Sequence, residues 1–160
     1  MKKIKLESLS IVDDIGEPII FSYGDLYIFF DTTSNSFQES YLEHRCINFT
    51  KARAHRKTAE CCCTQWHRDA RNIICSVEDS EWVKELKADT PEDLKDKWVM
   101  NHYLIYLDGF GCIEAVADEV FILPEAREEF KEVNELVFSF REQAKNLLTK
   151  TGLEKNPYGC

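Results

Sequence analysis

A chain of 160 residues, 44% hydrophobic and 31% charged, suits one globular domain with a core of its own and is short for two. Nineteen Phe, Tyr and Trp residues argue against disorder, and no run approaches the roughly 18 apolar residues of a membrane span. The net charge of −9 opposes general nucleic-acid binding, because like charge repels the phosphate backbone.

The start, MKKIKLESLS, has no long apolar stretch and no small-residue cleavage site. It reads as a first strand, which makes the cytoplasm the expected compartment. Cys46, Cys61, Cys62, Cys63, Cys75, Cys112 and Cys160 fit that expectation. An odd number with three adjacent is a poor disulfide framework and suits free thiols in a reducing compartment.

Taken in chain order, IKLESLSIV alternates apolar and polar positions as a strand does, with one slip. PIIFSYGDLYIFFD is two apolar runs around Gly24 and Asp25, a hairpin pattern. The polar stretch Phe37 to His44 reads as a loop, and CINFT as β. No clean period follows up to about Thr64. TQWHRDAR then has helical character, and NIICSV is a compact strand-like run. Asp79 or Ser80 can cap a short helix over EWVKEL, and TPEDLKD carries Pro91 and acids at a helix start.

WVMNHYLIYLDGFGCIEAVADEVFIL contains two strand-like runs around DGFG. Asp108 and Gly109 supply a left-handed turn there and Gly111 a bulge. Tyr103, Ile105 and Leu107 share one face while Leu104 and Tyr106 take the other. Both faces being apolar, this hairpin is expected at the centre of its sheet. Beyond Pro124, residues Ala126, Phe130, Val133, Val137, Phe140, Ala144 and Leu147 recur at alternating steps of four and three. That pattern predicts a long amphipathic helix from Glu125 to about Lys150, ending near Gly152.

The expected fold is therefore α+β, a single domain over 1–160. It divides into a sheet-rich body at 1–123, mainly antiparallel and with short helices, a C-terminal helix at 124–151 and a tail at 152–160. The helical stripe suits either a core face or a homodimer seam.

Three candidate sites emerge from composition and spacing. HRKTAECCCTQWHRDAR places three cysteines between histidines. Cys63 and His67 have zinc-ligand spacing, and His55 with Cys61 makes a looser second pair. Against zinc stand the absence of any C-x2-C pair and the inability of three consecutive cysteines to face one ion. A cysteine nucleophile is the weaker reading, since no signature of a cysteine enzyme accompanies these thiols.

The same region is basic. Arg45 to Arg71 holds seven Lys and Arg against two acids, while the remainder holds thirteen against twenty-seven. With Phe49 and Trp66 interleaved, this island suits phosphate contact and base stacking. The competing reading is an internal counter-charge docked on the protein's own acids. HRD at His67 to Asp69 lacks every companion motif of a kinase, and DGFG lacks the Lys-Ser or Lys-Thr of a phosphate loop.

The third candidate is acidic. Glu78, Asp79, Glu81, Trp82, Glu92 and Asp93 combine carboxylates with an aromatic anchor, and Glu125, Glu128, Glu129 and Glu132 form a second acidic group. Such a surface suits a protein partner with a basic face, such as a toxin or nuclease whose cleft an inhibitor or immunity protein would occupy. That non-enzymatic interaction role is the leading expectation. A zinc- or nucleic-acid-binding role for residues 45–75 is the alternative, and an enzyme without a local motif is the third.

Overall fold

The computed structural model describes residues 1–9, 18–36, 39–123 and, near the C-terminus, 131–133, 135–136, 139, 142–143 and 146; the side chains of 32–44 are outside that description. The chain divides into two compact units, Met1–Ala126 and Arg127–Cys160. In the second unit every described residue is helical. The remainder of the helix expected over Glu125 to Lys150, including Glu125, Glu128 and Glu129, lies outside the described residues.

The first unit is α+β and mainly antiparallel, as expected, but it contains two sheets. Strands β1 (Lys2–Ser8), β5 (Ala54–Thr58), β6 (Ile73–Glu78), β7 (Asn101–Leu107) and β8 (Gly111–Ala117) form a five-stranded sheet ordered β1-β6-β7-β8-β5. Strands β2 (Ile19–Tyr23), β3 (Asp25–Ser36), β4 (Glu39–Thr50) and β9 (Glu119–Leu123) form a second, ordered β2-β3-β4-β9. Every strand pair is antiparallel. Short helices α1 (Gln65–Arg68), α2 (Glu81–Asp89) and α3 (Glu92–Lys95) lie in the connections of the first sheet.

The core forms where the two sheets face each other. Leu26, Ile28 and Phe30 of β3, with Ile47 and Phe49 of β4, share one buried cluster with Ile74, Tyr103, Ile105, Leu107, Ile113, Ala115 and Ala117. Phe49 and Tyr103 meet across the gap with ring centroids 5.8 Å apart. Alternation decides this surface, because every second residue of β7 and β8 must point the same way. The hairpin of β7 and β8 sits at the centre of its sheet, and both strands are buried on both faces, as their sequence anticipates.

Three expectations are corrected. Phe37 to His44, read as a loop, belongs largely to β4, which pairs with β3 from Leu26↔Phe49 to Ser36↔Glu39. Ladder bonds join backbones and need no apolar side chains, so polar residues extend this hairpin. Residues 54–58, which show no period, form β5 on β8. The run after DGFG is two strands, since β8 ends at Ala117 and β9 begins at Glu119 in the other sheet.

Asp118 marks that crossing. Its backbone N–H donates to Thr50 O at 2.9 Å, and its carbonyl accepts from Asn101 Nδ2 at 2.7 Å. Its carboxylate accepts from Lys51 Nζ at 2.9 Å and Arg53 Nη2 at 3.4 Å. One contact to a strand of each sheet, with Lys51 and Arg53 from the β4–β5 connection, holds the chain where it changes layers.

Candidate functional site

On the face of the five-stranded sheet turned away from the other sheet, alternation brings Arg56, His102 and Glu114 together. The registers Arg56↔Glu114 and Leu104↔Glu114 place Glu114 between β5 and β7. Only 1% of Glu114 is exposed, a position an acid occupies only when paired. Arg56 supplies the pair, with Nε donating to Oε2 and Nη2 to Oε1, each at 2.7 Å. His102, also buried, lies with Nε2 3.1 Å from Oε1. Burial alone would push the Glu114 carboxyl up, but the hydrogen bonds from His102 and Arg56 outweigh it and hold the group at about 2. An ionised carboxylate only accepts, so His102 Nε2 carries a hydrogen and donates it.

The far nitrogen of that ring, Nδ1, is 2.8 Å from Ser80 Oγ. Ser80 is the N-cap of α2 and its Oγ also accepts from Val83 N–H at 3.2 Å. Trp82, the second residue of the helix, sets its ring edge-on to His102 at 5.2 Å and under the Arg56 guanidinium at 4.3 Å. The start of α2 is thus fixed to the sheet through Ser80 and Trp82 together.

Ser80, His102 and Glu114 have the order of a serine–histidine–carboxylate relay. Three features make it an anchor instead. The serine meets Nδ1 and not Nε2, its oxygen already caps a helix, and both Glu114 oxygens are clamped by Arg56. A buried network bonded at this many points specifies one arrangement of helix on sheet.

Beside this network lie the sulfurs. Cys63, Cys75 and Cys112 are buried and pack with Ala70, Val77, Leu104 and Tyr106. Burial pushes the Cys112 thiol far up, with nearby Glu114 adding to the effect, so it is no nucleophile. Cys61 and Cys62 are exposed, with sulfurs 3.8 Å apart. The contact with Cys61 raises the Cys62 thiol as well.

Comparison with protein-family models, curated proteins and solved structures finds no match. What the chain does has to be read from its own geometry.

The members of the zinc set expected from spacing differ in burial. Cys63 is buried and His67 half-buried, while Cys61 and His55 are exposed. Among the described residues the grouping of metal-ligating atoms is His67, Cys112 and Glu114, within 4.8 Å of one another. Cys112 and Glu114 carry no ligand spacing to His67 in sequence. Glu114 had one legible signal, being a single acid inside the apolar run CIEAVA, where a strand buried on both faces must give it a partner.

The basic island is consumed within the protein. Arg56 pairs with Glu114, Arg71 with Asp108 at 2.7 Å, and Lys51 and Arg53 with Asp118. Lys57 sits 3.3 Å from the Phe110 centroid, and Arg53 stacks on Trp98 at 4.5 Å. Arg68 donates to the Tyr106 hydroxyl and to the Glu60 carbonyl, both at 3.1 Å. Apart from the Glu60 carbonyl, every one of these partners lies 37 or more positions away, which is why local charge counting misses them.

The expected acidic face is divided. Glu78, Asp79, Glu81 and Trp82 cluster at the β6–α2 junction, but Glu92 and Asp93 begin α3, beyond a nine-residue helix about 13 Å long. Glu78 and Asp79 border a cavity of about 840 Å³ that Ser80, His102, Lys84 and Lys87 also line. Trp82 is spent on Arg56 and His102 and offers only its half-exposed remainder. Lys2, Lys84 and Lys95 lie 3.9, 2.6 and 2.7 Å from Glu78, Glu81 and Glu92, and among the described helices none is long and apolar enough to cross a membrane.

Proposed function

We propose that this is a non-enzymatic, cytoplasmic interaction protein that docks an acidic surface on a basic face of a protein partner. An inhibitor of the immunity type, closing the cleft of a toxin or nuclease, fits that chemistry. The carrying observation is the internal consumption of the basic island. With Lys51, Arg53, Arg56 and Arg71 facing the protein's own carboxylates, much of the positive charge that nucleic acid would need is offset within the chain, most firmly at Arg56 on buried Glu114. The surplus of acids remains to set the outward field.

Glu78, Asp79 and Glu81 form the proposed contact. Lys2 and Lys84, which pair with Glu78 and Glu81, are exposed, and exposed pairs are worth roughly 0–1 kcal/mol each. A cationic partner displaces Lys2 or Lys84 at little cost. Glu92 and Asp93 extend the surface along α2 and α3. A helix over Glu125 to Lys150 would add an apolar stripe suited to a second copy of the chain.

The test is a charge reversal. Immobilised protein is used to capture cellular polypeptides, identified by mass spectrometry, beside Glu78→Lys/Asp79→Lys/Glu81→Lys. The proposal expects a basic polypeptide whose association rate falls about tenfold or more in the variant and drops steeply with salt. Equal capture by both proteins removes this face from consideration, and capture of nucleic acid instead overturns the reading.

A further inference from the structure

We infer that Cys63, His67, Cys112 and Glu114 form a binding site for a soft divalent metal ion, zinc by preference. This goes beyond the interaction role and stands apart from it. Three donors, a His67 ring nitrogen, Cys112 Sγ and a Glu114 carboxylate oxygen, already lie within 4.8 Å of one another. Ligands at about 2.0–2.3 Å from zinc are about 3.3–3.8 Å apart, so closure requires movements of about 1 Å.

Cys63, whose sulfur lies outside that 4.8 Å group, is the proposed fourth donor and has to swing towards Cys112. It packs in the same buried cluster as Cys112, and its Sγ lies 3.5 Å from the carbonyl of Thr58. Thr58 is the residue paired with Cys112 across β5 and β8. The sulfur of Cys63 therefore reaches the strand position directly beside Cys112.

The surroundings are those of a metal centre as well. His67 Nδ1 accepts from the Thr64 backbone N–H at 3.0 Å and also lies 3.0 Å from Thr64 Oγ1, so coordination through Nε2 requires the ring to exchange that backbone bond for an Nδ1–H donated to Oγ1. Arg56 and His102 occupy three of the four lone-pair positions of Glu114 and orient it, with one position left over. The charges close: a dication and the Arg56 cation balance two thiolates and one carboxylate. A buried site with no residual charge avoids the desolvation cost of an unpaired ion. Two sulfurs and an imidazole select zinc or a comparably soft ion over magnesium or calcium.

This set shares Cys63 and His67 with the one expected from spacing, and replaces His55 and Cys61 by Cys112 and Glu114. That difference makes the test sharp. Reduced protein purified without a nickel column is loaded with zinc, dialysed and measured for metal, and cobalt is substituted to read thiolate-to-metal absorption. The expected result is one zinc per chain and a cobalt spectrum with sulfur charge-transfer bands. Affinity should fall about 100-fold or more in His67→Gln and Cys112→Ser, and stay within about twofold in Cys61→Ser/Cys62→Ser. His67 is half-buried on a short helix, so its variant decides the matter if Cys112→Ser folds poorly. No retained zinc, or zinc lost equally in the Cys61/Cys62 variant, overturns the proposal.

Discussion

Glu114→Ala is expected to destabilise the sheet-rich unit by about 3 kcal/mol, the cost of an emptied buried position and of leaving the buried His102 Nε2–H without its acceptor. The substitution leaves the Arg56 guanidinium and His102 Nε2–H facing an emptied position between β5 and β7. It also loosens the start of α2, because His102 is the link between Glu114 and Ser80. Urea unfolding of the metal-free protein measures the loss. Replacing Glu114 and Arg56 together by Met should recover much of it, since no guanidinium then lacks its partner. Equal instability in the single and double variants would show that shape, not charge pairing, governs the site.

The same carboxylate sets an acid limit. Its folded value of about 2 lies below the ordinary 4.5, so the group binds its proton more weakly in the native state than in the unfolded chain. The stabilisation is complete above about pH 4.5 and is lost as pH falls towards about 2, amounting to about 3 kcal/mol in all. Wild-type stability, followed by urea midpoints in chelator-treated protein, should decline through that window. Glu114→Gln should flatten the decline, and an unchanged slope would locate the acid sensitivity elsewhere.

Gly111→Ala is the second large effect. Gly111 has φ +106°, in a region side chains rarely adopt, and a Cβ there would collide with the Thr58 carbonyl oxygen and lie 2.9 Å from Glu60 N. Both contacts are backbone, so β5 itself has to move. The expected cost is about 3 kcal/mol or more, combining strain with overpacking. Gly109→Ala, two residues earlier, is the control. Its φ of +70° is also left-handed, but a Cβ there meets nothing within 4 Å, which limits the cost to about 1–2 kcal/mol. Thermal melts should separate the two variants clearly. Indistinguishable melts would mean that the close approach of residues 58–60 to the turn adds nothing.

Local chemistry in the sequence was enough for several features. Ser80 caps α2 because its oxygen meets Val83 N–H three residues on. Tyr103, Ile105 and Leu107 face the core because alternation puts them there, and DGFG turns because Gly109 tolerates a positive φ. Each of these is settled within a few residues. The internal use of the basic island was open in the sequence, with composition favouring it; the named pairs came from the fold.

Only tertiary structure decided the rest. Residues 39–44 became strand because β3 offers a ladder, and the apolar run after DGFG broke at Asp118 because the chain changes sheets there. The candidate site has the same origin. Arg56 and Glu114 are 58 residues apart, Ser80 and His102 are 22 apart, and no spacing rule joins His67 to Cys112. Periodicity tells which way a side chain points, but not which strand lies next to it. Neighbours across a sheet are chosen by burial summed over the whole unit. A site built from strand neighbours is therefore invisible until the sheet order is known.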